Sequence, residues 1–307
     1  MNLAIQIAPK HQKGLLLKNP VMTASGTFGY GTEYHHLFDI QQLGAIVCKG
    51  TTLQPKEGNP QPRIAETPGG ILNSIGMQNI GVKALIKEKA PVWAEWAVPV
   101  IVNIGGDSID DYARIAGELD GVAGVSALEV NISCPNIKAG GIEFGINPKS
   151  AAEVTRTVKS ATSLPLLVKL TPNTDDITRI ATAVAEAGAD ALTVINTLRG
   201  IAIDTTRRRP LLGNIIGGLS GPAIKPVALY MVYQVAGAVD IPVVGCGGIT
   251  NAGDAIEFIM AGASAIQVGT ANLTSPRTPL EVLEGIKAFM QKEGIKNLSE
   301  IIGVGRG

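Results

Sequence analysis

Residues 164–197 read LPLLVKLTPNTDDITRIATAVAEAGADALTVINT, and the fold class follows from this stretch. Leu164–Leu170 is a short aliphatic run that ends in a lysine and a leucine. Ile177–Ala187, ITRIATAVAEA, carries apolar residues at helical spacing. Gly188 follows, a residue free to take the left-handed conformation that closes a helix. Ala191–Asn196 is a second aliphatic run, reached almost at once. Strand, amphipathic helix and strand with short connections make a βαβ unit and imply parallel strands.

The same alternation extends in both directions. Further aliphatic runs lie at Val21–Ser25, Ala45–Lys49, Val98–Ile104, Ala127–Ser133, Ile241–Gly245 and Ala265–Gly269, which makes eight with the two above. Amphipathic segments stand between most of them, among them Ala151–Ala161, Ala255–Ala261 and Pro279–Lys292. AGADALTV (187–194) is echoed by AGASAIQV (261–268) and LGAIV (43–47), each with a glycine just before a strand. Eight repeats favour closure into a TIM (β/α)8 barrel, with an open doubly wound sheet as the alternative. Residues 2–17 read as a hairpin plugging the bottom of the barrel. Thr52–Val82 is rich in Gly, Pro and Asn without helical period, an irregular insertion of the kind that more often serves a site than not. No composition shift divides the chain, so residues 1–307 are expected to form a single domain.

Composition agrees. The hydrophobic fraction is 45 % with only 4 % aromatics, so aliphatic side chains must fill the core, as in parallel strands buried on both faces. Lys+Arg and Asp+Glu both number 26, which argues against a nucleic-acid or membrane surface as partner. Arg207-Arg208-Arg209 reads as a solvated loop. The N-terminus has no basic-then-apolar leader, and the longest uncharged stretch, Phe258–Pro276, is broken by polar residues; the cytoplasm is the expected compartment. Cys48, Cys134 and Cys246 are far apart and form no CxxC pair, so no disulfide framework or metal site is expected.

In a TIM barrel the active site collects at the C-terminal ends of the strands. There the sequence places Ser25, Lys49, Asn103, Asn131, Lys169, Asn196-Thr197, Gly247-Gly248 and Gly269-Thr270. Either lysine alone reads equally well as a rim residue reaching solvent. Two of them, together with three asparagines, point to an anionic, hydrogen-bonding ligand. VVGCGGI (243–249) and QVGTANL (267–273) set glycines after the last two strands, where backbone amides can cradle a phosphate. No GxGxxG unit and no GxxxxGK[ST] loop is present, which disfavours a Rossmann or nucleoside-triphosphate site. Cys48 and Cys246 read as small buried hydrophobes. Cys134 sits beyond a strand among polar residues, where a thiolate can act as a base.

NISCPNIKAGG (131–141), ILNSIGMQNIG (71–81), INT (195–197) and GGLSGPAIKP (217–226) resemble the class 1 dihydroorotate dehydrogenases over nearly the whole chain. LSGPAIKP, ETPGGILNSIGMQN and the absence of an N-terminal helical extension are most similar to the NAD-linked subclass, class 1B. The resemblance implies oxidation of dihydroorotate to orotate in pyrimidine biosynthesis, with one FMN across the strand ends. Ser25, Asn103, Asn131, Lys169 and Ile195 would contact the flavin ring and ribityl chain, and Lys49-Gly50 its edge. Gly221, Gly247, Gly248, Gly269 and Thr270 would hold its tail and phosphate. Lys49, Asn73, Ser74, Ile75, Gly76, Met77, Asn131, Asn196 and Thr197 would bind dihydroorotate, and Cys134 would take its C5 proton. Met77 stands where leucine is more usual and Gly50 where a larger residue is common; both are expected to act mainly through backbone.

The resemblance further implies a partner subunit carrying FAD and a [2Fe-2S] cluster, in a heterotetramer of two catalytic and two electron-transfer chains. Four other readings stay open at this point: a fumarate-linked class 1A enzyme, an FMN barrel acting on uracil-type pyrimidines, a tRNA-modifying flavin barrel, and a phosphate-ligand-binding barrel without catalysis.

Overall fold

A computed structural model describes residues 1–133, 135–136 and 142–307. The eight aliphatic runs form eight parallel strands: β3 (Val21–Thr23), β4 (Ile46–Val47), β7 (Val100–Ile104), β8 (Ala127–Asn131), β11 (Leu166–Leu170), β12 (Ala191–Val194), β17 (Val243–Cys246) and β18 (Ala265–Val268). Their order is β3-β18-β17-β12-β11-β8-β7-β4. A parallel bridge between Met22 and Ala45 closes the ring between β3 and β4. The barrel expected from the sequence is therefore the fold observed, and the open sheet is excluded.

Residues 164–197 fold as their pattern dictates. All five residues of β11 and all four of β12 are buried, as strands enclosed on both faces must be. Between them α5 (Ile177–Glu186) buries Ile177, Ile180, Ala181 and Val184, the i, i+3, i+4, i+7 stripe of an amphipathic helix. Asp176 caps it, accepting from the amides of Thr178 at 2.9 Å and Arg179 at 3.4 Å, and Gly188 ends it at φ +106°. The other crossovers carry α1 (Val82–Glu88), α2 (Ala90–Ala94), α3 (Ile109–Leu119), α4 (Pro148–Ala161), α6 (Lys225–Ala236) and α7 (Ala252–Met260); α8 (Ala271–Thr274) and α9 (Thr278–Lys292) follow the last strand. The β3–β4 connection contains only turns and a 3-10 helix at Ile40–Gln42. No helix of the described residues is long and apolar enough to cross a membrane.

The N-terminal strands β1 (Ile5–Gln6) and β2 (Leu16–Leu17) pair antiparallel. Ile7, Ala8, Leu15 and Leu17 pack, buried, against the lowest interior layer of the barrel, which is the plug expected. At the opposite end the structure differs from the sequence reading. Residues 52–82, expected to be irregular, include the hairpin β5 (Ile64–Thr67) and β6 (Gly70–Asn73). These join β13 (Leu198–Gly200) and β16 (Gly217–Ser220) in an antiparallel sheet ordered β13-β16-β6-β5. The strands are only three or four residues long, and β16 pairs with β6 across more than half the barrel sequence, so local pattern has little to register. Smaller antiparallel pairs are β9 (Pro135–Asn136) with β10 (Ile142–Glu143), and β14 (Ile203–Asp204) with β15 (Arg209–Pro210). Arg207 and Arg208 are exposed on the turn of the latter pair and Arg209 is exposed at the start of β15, so the cluster is solvated.

Candidate active site

Side chains alternate along a strand, so every second residue of a barrel strand enters the interior. One interior layer consists of Met22, Val47, Ile101, Ala127, Leu167, Ala191, Val244 and Ala265. Two residues further along the same strands stand Ala24, Lys49, Asn103, Glu129, Lys169, Thr193, Cys246 and Gln267. A single step of the period thus carries the barrel interior from an apolar floor to a predominantly polar layer.

That layer is knitted together. Glu129, fully buried, accepts from Asn103 Nδ2 at 2.7 Å, Thr193 Oγ1 at 2.8 Å and Gln267 Nε2 at 2.6 Å. Lys169, 4 % exposed, donates to Gln267 Oε1 at 3.2 Å and reaches Ser25 Oγ at 3.5 Å. Its ammonium lies 3.9 Å from both Glu129 Oε1 and Cys246 Sγ. Burial opposes the charge on Lys169, but the Cys246 sulfur and the Glu129 carboxylate outweigh it and hold the lysine above its ordinary pKa. Burial pushes the Cys246 thiol up despite the ammonium beside it. A protonated thiol offers that ammonium little, so Glu129 is the partner that matters at neutral pH. A buried charge persists where it is paired and hydrogen-bonded, and both conditions are met here.

Above this layer opens a cavity of about 520 Å³, within the ordinary range of small-molecule sites. Its rim is polar. Asn196 Nδ2 donates to Asn131 Oδ1 at 3.2 Å and to Ser133 Oγ at 3.0 Å, and Asn131 Oδ1 also accepts the Ser133 amide at 3.1 Å. Tyr112 Oη anchors the Asn131 carbonyl at 2.6 Å. Asn73 Nδ2 donates to the Gly218 carbonyl at 3.2 Å, tying the antiparallel sheet to the cavity edge. Lys49 lines the cavity half-buried, and its ammonium has no hydrogen bond or ion pair among the described residues. Burial lowers its pKa, with Glu33 opposing and Arg63 adding to the lowering. A bound carboxylate would relieve that penalty.

The opposite side of the cavity is glycine. Gly221 sits at φ +97°, and a Cβ there would come within 2.8 Å of Gly70 Cα. Gly248 sits at φ +73°, and a Cβ would meet the Gly221 carbonyl at 2.8 Å and the Lys225 amide at 2.9 Å. Only glycine fits these positions, and the bare backbone they leave is suited to an anionic tail such as a phosphate. Thr270 Oγ1, bonded to Ser220 Oγ at 2.9 Å, flanks it.

The expected site residues therefore meet. Ser25, Lys49, Gly50, Asn73, Ser74, Ile75, Gly76, Met77, Asn103, Asn131, Lys169, Ile195, Asn196, Thr197, Gly221, Gly247, Gly248, Gly269 and Thr270 all line the cavity. Cys134 lies outside the described residues; its chain neighbour Ser133 lines the cavity. The Met77 side chain lies against the rim, with Asn131 Nδ2 3.8 Å from its sulfur. A Cβ on Gly50 would stand 3.2 Å from the Met77 methyl and 3.0 Å from Asn103 Oδ1, so the small residue at 50 makes room for the long one at 77. Cys246, expected in the core, is buried but borders the cavity beside Lys169. The sequence reading missed Glu129, Thr193 and Gln267. Their signal was a polar residue inside each of three aliphatic strands. It also missed Asn173, whose Nδ2 donates to the Thr197 carbonyl at 3.2 Å.

Comparison with known proteins agrees with this geometry. A family model described as dihydroorotate dehydrogenase matches residues 9–290. The "Dihydroorotate dehydrogenase B (NAD(+)), catalytic subunit" of Desulforamulus reducens is 55 % identical over 303 residues, 99 % of this chain and 98 % of that protein. Proteins of the same name from Desulforudis audaxviator and Geotalea daltonii are each 55 % identical over 290 residues, covering 94 % of this chain and 94 % and 95 % of their own lengths. Shared sequence over almost the full length, together with a barrel whose strand ends carry the expected residues, leaves one conclusion: the chain belongs to the dihydroorotate dehydrogenase family.

Proposed function

We propose that the chain, folding as one domain, oxidises dihydroorotate to orotate with bound FMN, as the catalytic subunit of an NAD(+)-linked enzyme of pyrimidine biosynthesis. The observation that carries the reading is the pairing of cations in the cavity. Lys169 is compensated by Glu129 at 3.9 Å, whereas Lys49 has no anionic partner among the described residues. One lysine is thus committed to the protein's own network, and the other is left for an anionic ligand.

The cavity fits FMN on its own features: a glycine wall that a Cβ would fill, a buried cation beneath, and amide side chains at the rim. Ser25, Asn103, Asn131, Lys169, Ile195, Lys49 and Gly50 would hold its ring and ribityl chain, and Gly221, Gly247, Gly248, Gly269 and Thr270 its phosphate. FMN, when bound, supplies the two-electron acceptor for the hydrogen that leaves dihydroorotate C6 with its electron pair. Cys134 takes the proton from C5. Lys49 pairs with the substrate carboxylate. Asn73, Asn131, Asn196 and Thr197 match the alternating donors and acceptors of the dihydropyrimidine ring, and Ser74–Met77 close the edge of the pocket. The relatives' names, "catalytic subunit" of an NAD(+) enzyme, support a separate partner subunit. We assign to it FAD and a [2Fe-2S] cluster, in an assembly of two catalytic and two electron-transfer chains in the cytoplasm.

Purified protein is expected to be yellow, to bleach on anaerobic addition of dihydroorotate, and to pass electrons to an artificial dye far faster than to NAD⁺. Colourless protein that stays colourless after incubation with FMN would refute the flavin reading. Efficient NAD⁺ reduction by the lone chain would refute the partner. Lys49→Met is expected to weaken orotate binding about 10–100-fold, the worth of a charged hydrogen bond of about 1.5–3 kcal/mol, with little change in melting temperature. Unaltered orotate affinity in a titration of the flavin spectrum would remove Lys49 from the carboxylate site.

A further inference from the structure

The proposed chemistry does not use Glu129, yet Glu129 lies at the centre of the polar layer beneath the cavity. A carboxylate with no solvent exposure survives folding only if its surroundings repay its lost hydration. Three donors from three different strands converge on it: Asn103 Nδ2, Thr193 Oγ1 and Gln267 Nε2. An ionised carboxylate is an acceptor at both oxygens, and that is the species this ring of donors suits.

The carboxylate also decides which way its neighbours face. Because Gln267 gives its amino group to Glu129, its carbonyl oxygen is turned to Lys169 Nζ at 3.2 Å. Because Asn103 gives its amino group to Glu129, its Oδ1 faces Gly50, 3.0 Å from where a Cβ would stand, on the cavity wall. Cys246 Sγ completes the surroundings of the ammonium at 3.9 Å, and burial keeps that thiol protonated at neutral pH. Around Glu129 the formal charges are then the Lys169 ammonium and one carboxylate, while Lys49, the other cation of the layer, stands outside this pair.

We propose that Glu129 is a positioning residue that sets the electrostatics of the flavin site, compensating Lys169 and holding the Asn103 carbonyl oxygen toward the cavity. The inference rests on the FMN reading above. With Glu129 ionised, the Lys169–Glu129 pair is neutral and the reduced, anionic flavin meets a cation already shared. Without the carboxylate the whole charge of Lys169 falls on the ligand, and reduction becomes easier.

The test is a spectroelectrochemical titration of FMN-loaded protein. Glu129→Gln is expected to shift the oxidised–reduced equilibrium at least tenfold toward reduced flavin, about +30 mV for a two-electron couple. Glu129→Asp keeps the charge and is expected to stay within about threefold of wild type, although it packs less well. A glutamate needed only for shape would rank the two the other way, since glutamine is the isostere. An unchanged potential in folded, flavin-loaded Glu129→Gln would overturn the proposal.

Should Glu129→Gln fail to fold, the double variant Glu129→Gln/Lys169→Gln decides: recovery of folding supports compensation of Lys169, and a second failure assigns Glu129 to packing and overturns it. Thermal unfolding of the flavin-free wild type, single and double variants should be non-additive in the same sense. That cycle needs no cofactor, so wild-type protein unable to bind FMN would refute the function while Glu129 was judged separately.

Discussion

Replacing Cys134 with serine is expected to slow reduction of bound FMN by dihydroorotate about 10²–10⁴-fold at neutral pH, the usual worth of a positioned base, while FMN stays bound. What matters is which group can accept the C5 proton. A free thiol titrates near ~8.5, so a useful fraction is thiolate at neutral pH, and an alcohol of the same length offers almost none. The cradle that would hold the cofactor lies elsewhere, in the glycines after β16, β17 and β18, so a change at residue 134 should leave flavin content unaltered. Ser133 and Asn131, which precede Cys134 in the chain, are tied to Asn196 at 3.0 and 3.2 Å, and substitution at residue 134 removes neither bond.

The pH dependence separates this role from a structural one. Flavin reduction by the wild type should accelerate from about pH 7 to about pH 9 as the thiol ionises, and the serine variant should lose that rise. Anaerobic stopped-flow bleaching of the flavin band reads both. Near-normal reduction in Cys134→Ser, or a wild-type rate flat across that range, would take Cys134 out of the base role.

The barrel was legible in the sequence because its determinants are local. The stripe Ile177, Ile180, Ala181 and Val184, the Asp176 cap and Gly188 at the helix end lie within one short segment, and so do the strands on either side. The cavity residues were legible for a related reason: barrel topology places every strand end on one face, so a list of polar strand ends is already a list of neighbours. What escaped lay in relations between distant segments. Glu129, Thr193 and Gln267 each look like a blemish in an aliphatic run, and only the barrel register brings Thr193 and Gln267 within 2.8 Å of the Glu129 carboxylate. The antiparallel sheet over the mouth pairs residues 71–73 with 218–220 and residues 217–219 with 198–200, and its strands are too short to declare a period. The accommodation of Met77 by Gly50 is likewise invisible until their atoms are seen side by side. Hydrophobic period therefore located the site, and the charge balance within it had to be read from contacts across strands.

Lys169→Met is expected to destabilise the flavin-free protein by about 3–5 kcal/mol, the cost of breaking a buried ion pair from one side. For a chain of this size that corresponds to a melting temperature lower by roughly 5–8 °C. The loss would come less from the vanished lysine than from what it leaves: Glu129, without solvent exposure, with its three hydrogen bonds but no cation at 3.9 Å, and Gln267 Oε1 without the ammonium it accepts from. Lys49 provides the contrast, because among the described residues its ammonium has no ion-paired carboxylate to abandon, and Lys49→Met should melt near wild type. In protein loaded with FMN, loss of the buried cation should also make reduction harder, opposite in sign to Glu129→Gln, and slow bleaching by dihydroorotate. Differential scanning calorimetry of the two lysine variants, with potentiometry of the loaded forms, measures all of this. A Lys169→Met protein as stable as wild type would mean that the carboxylate across from it carries no charge, and the electrostatic reading of the barrel floor would fall with it.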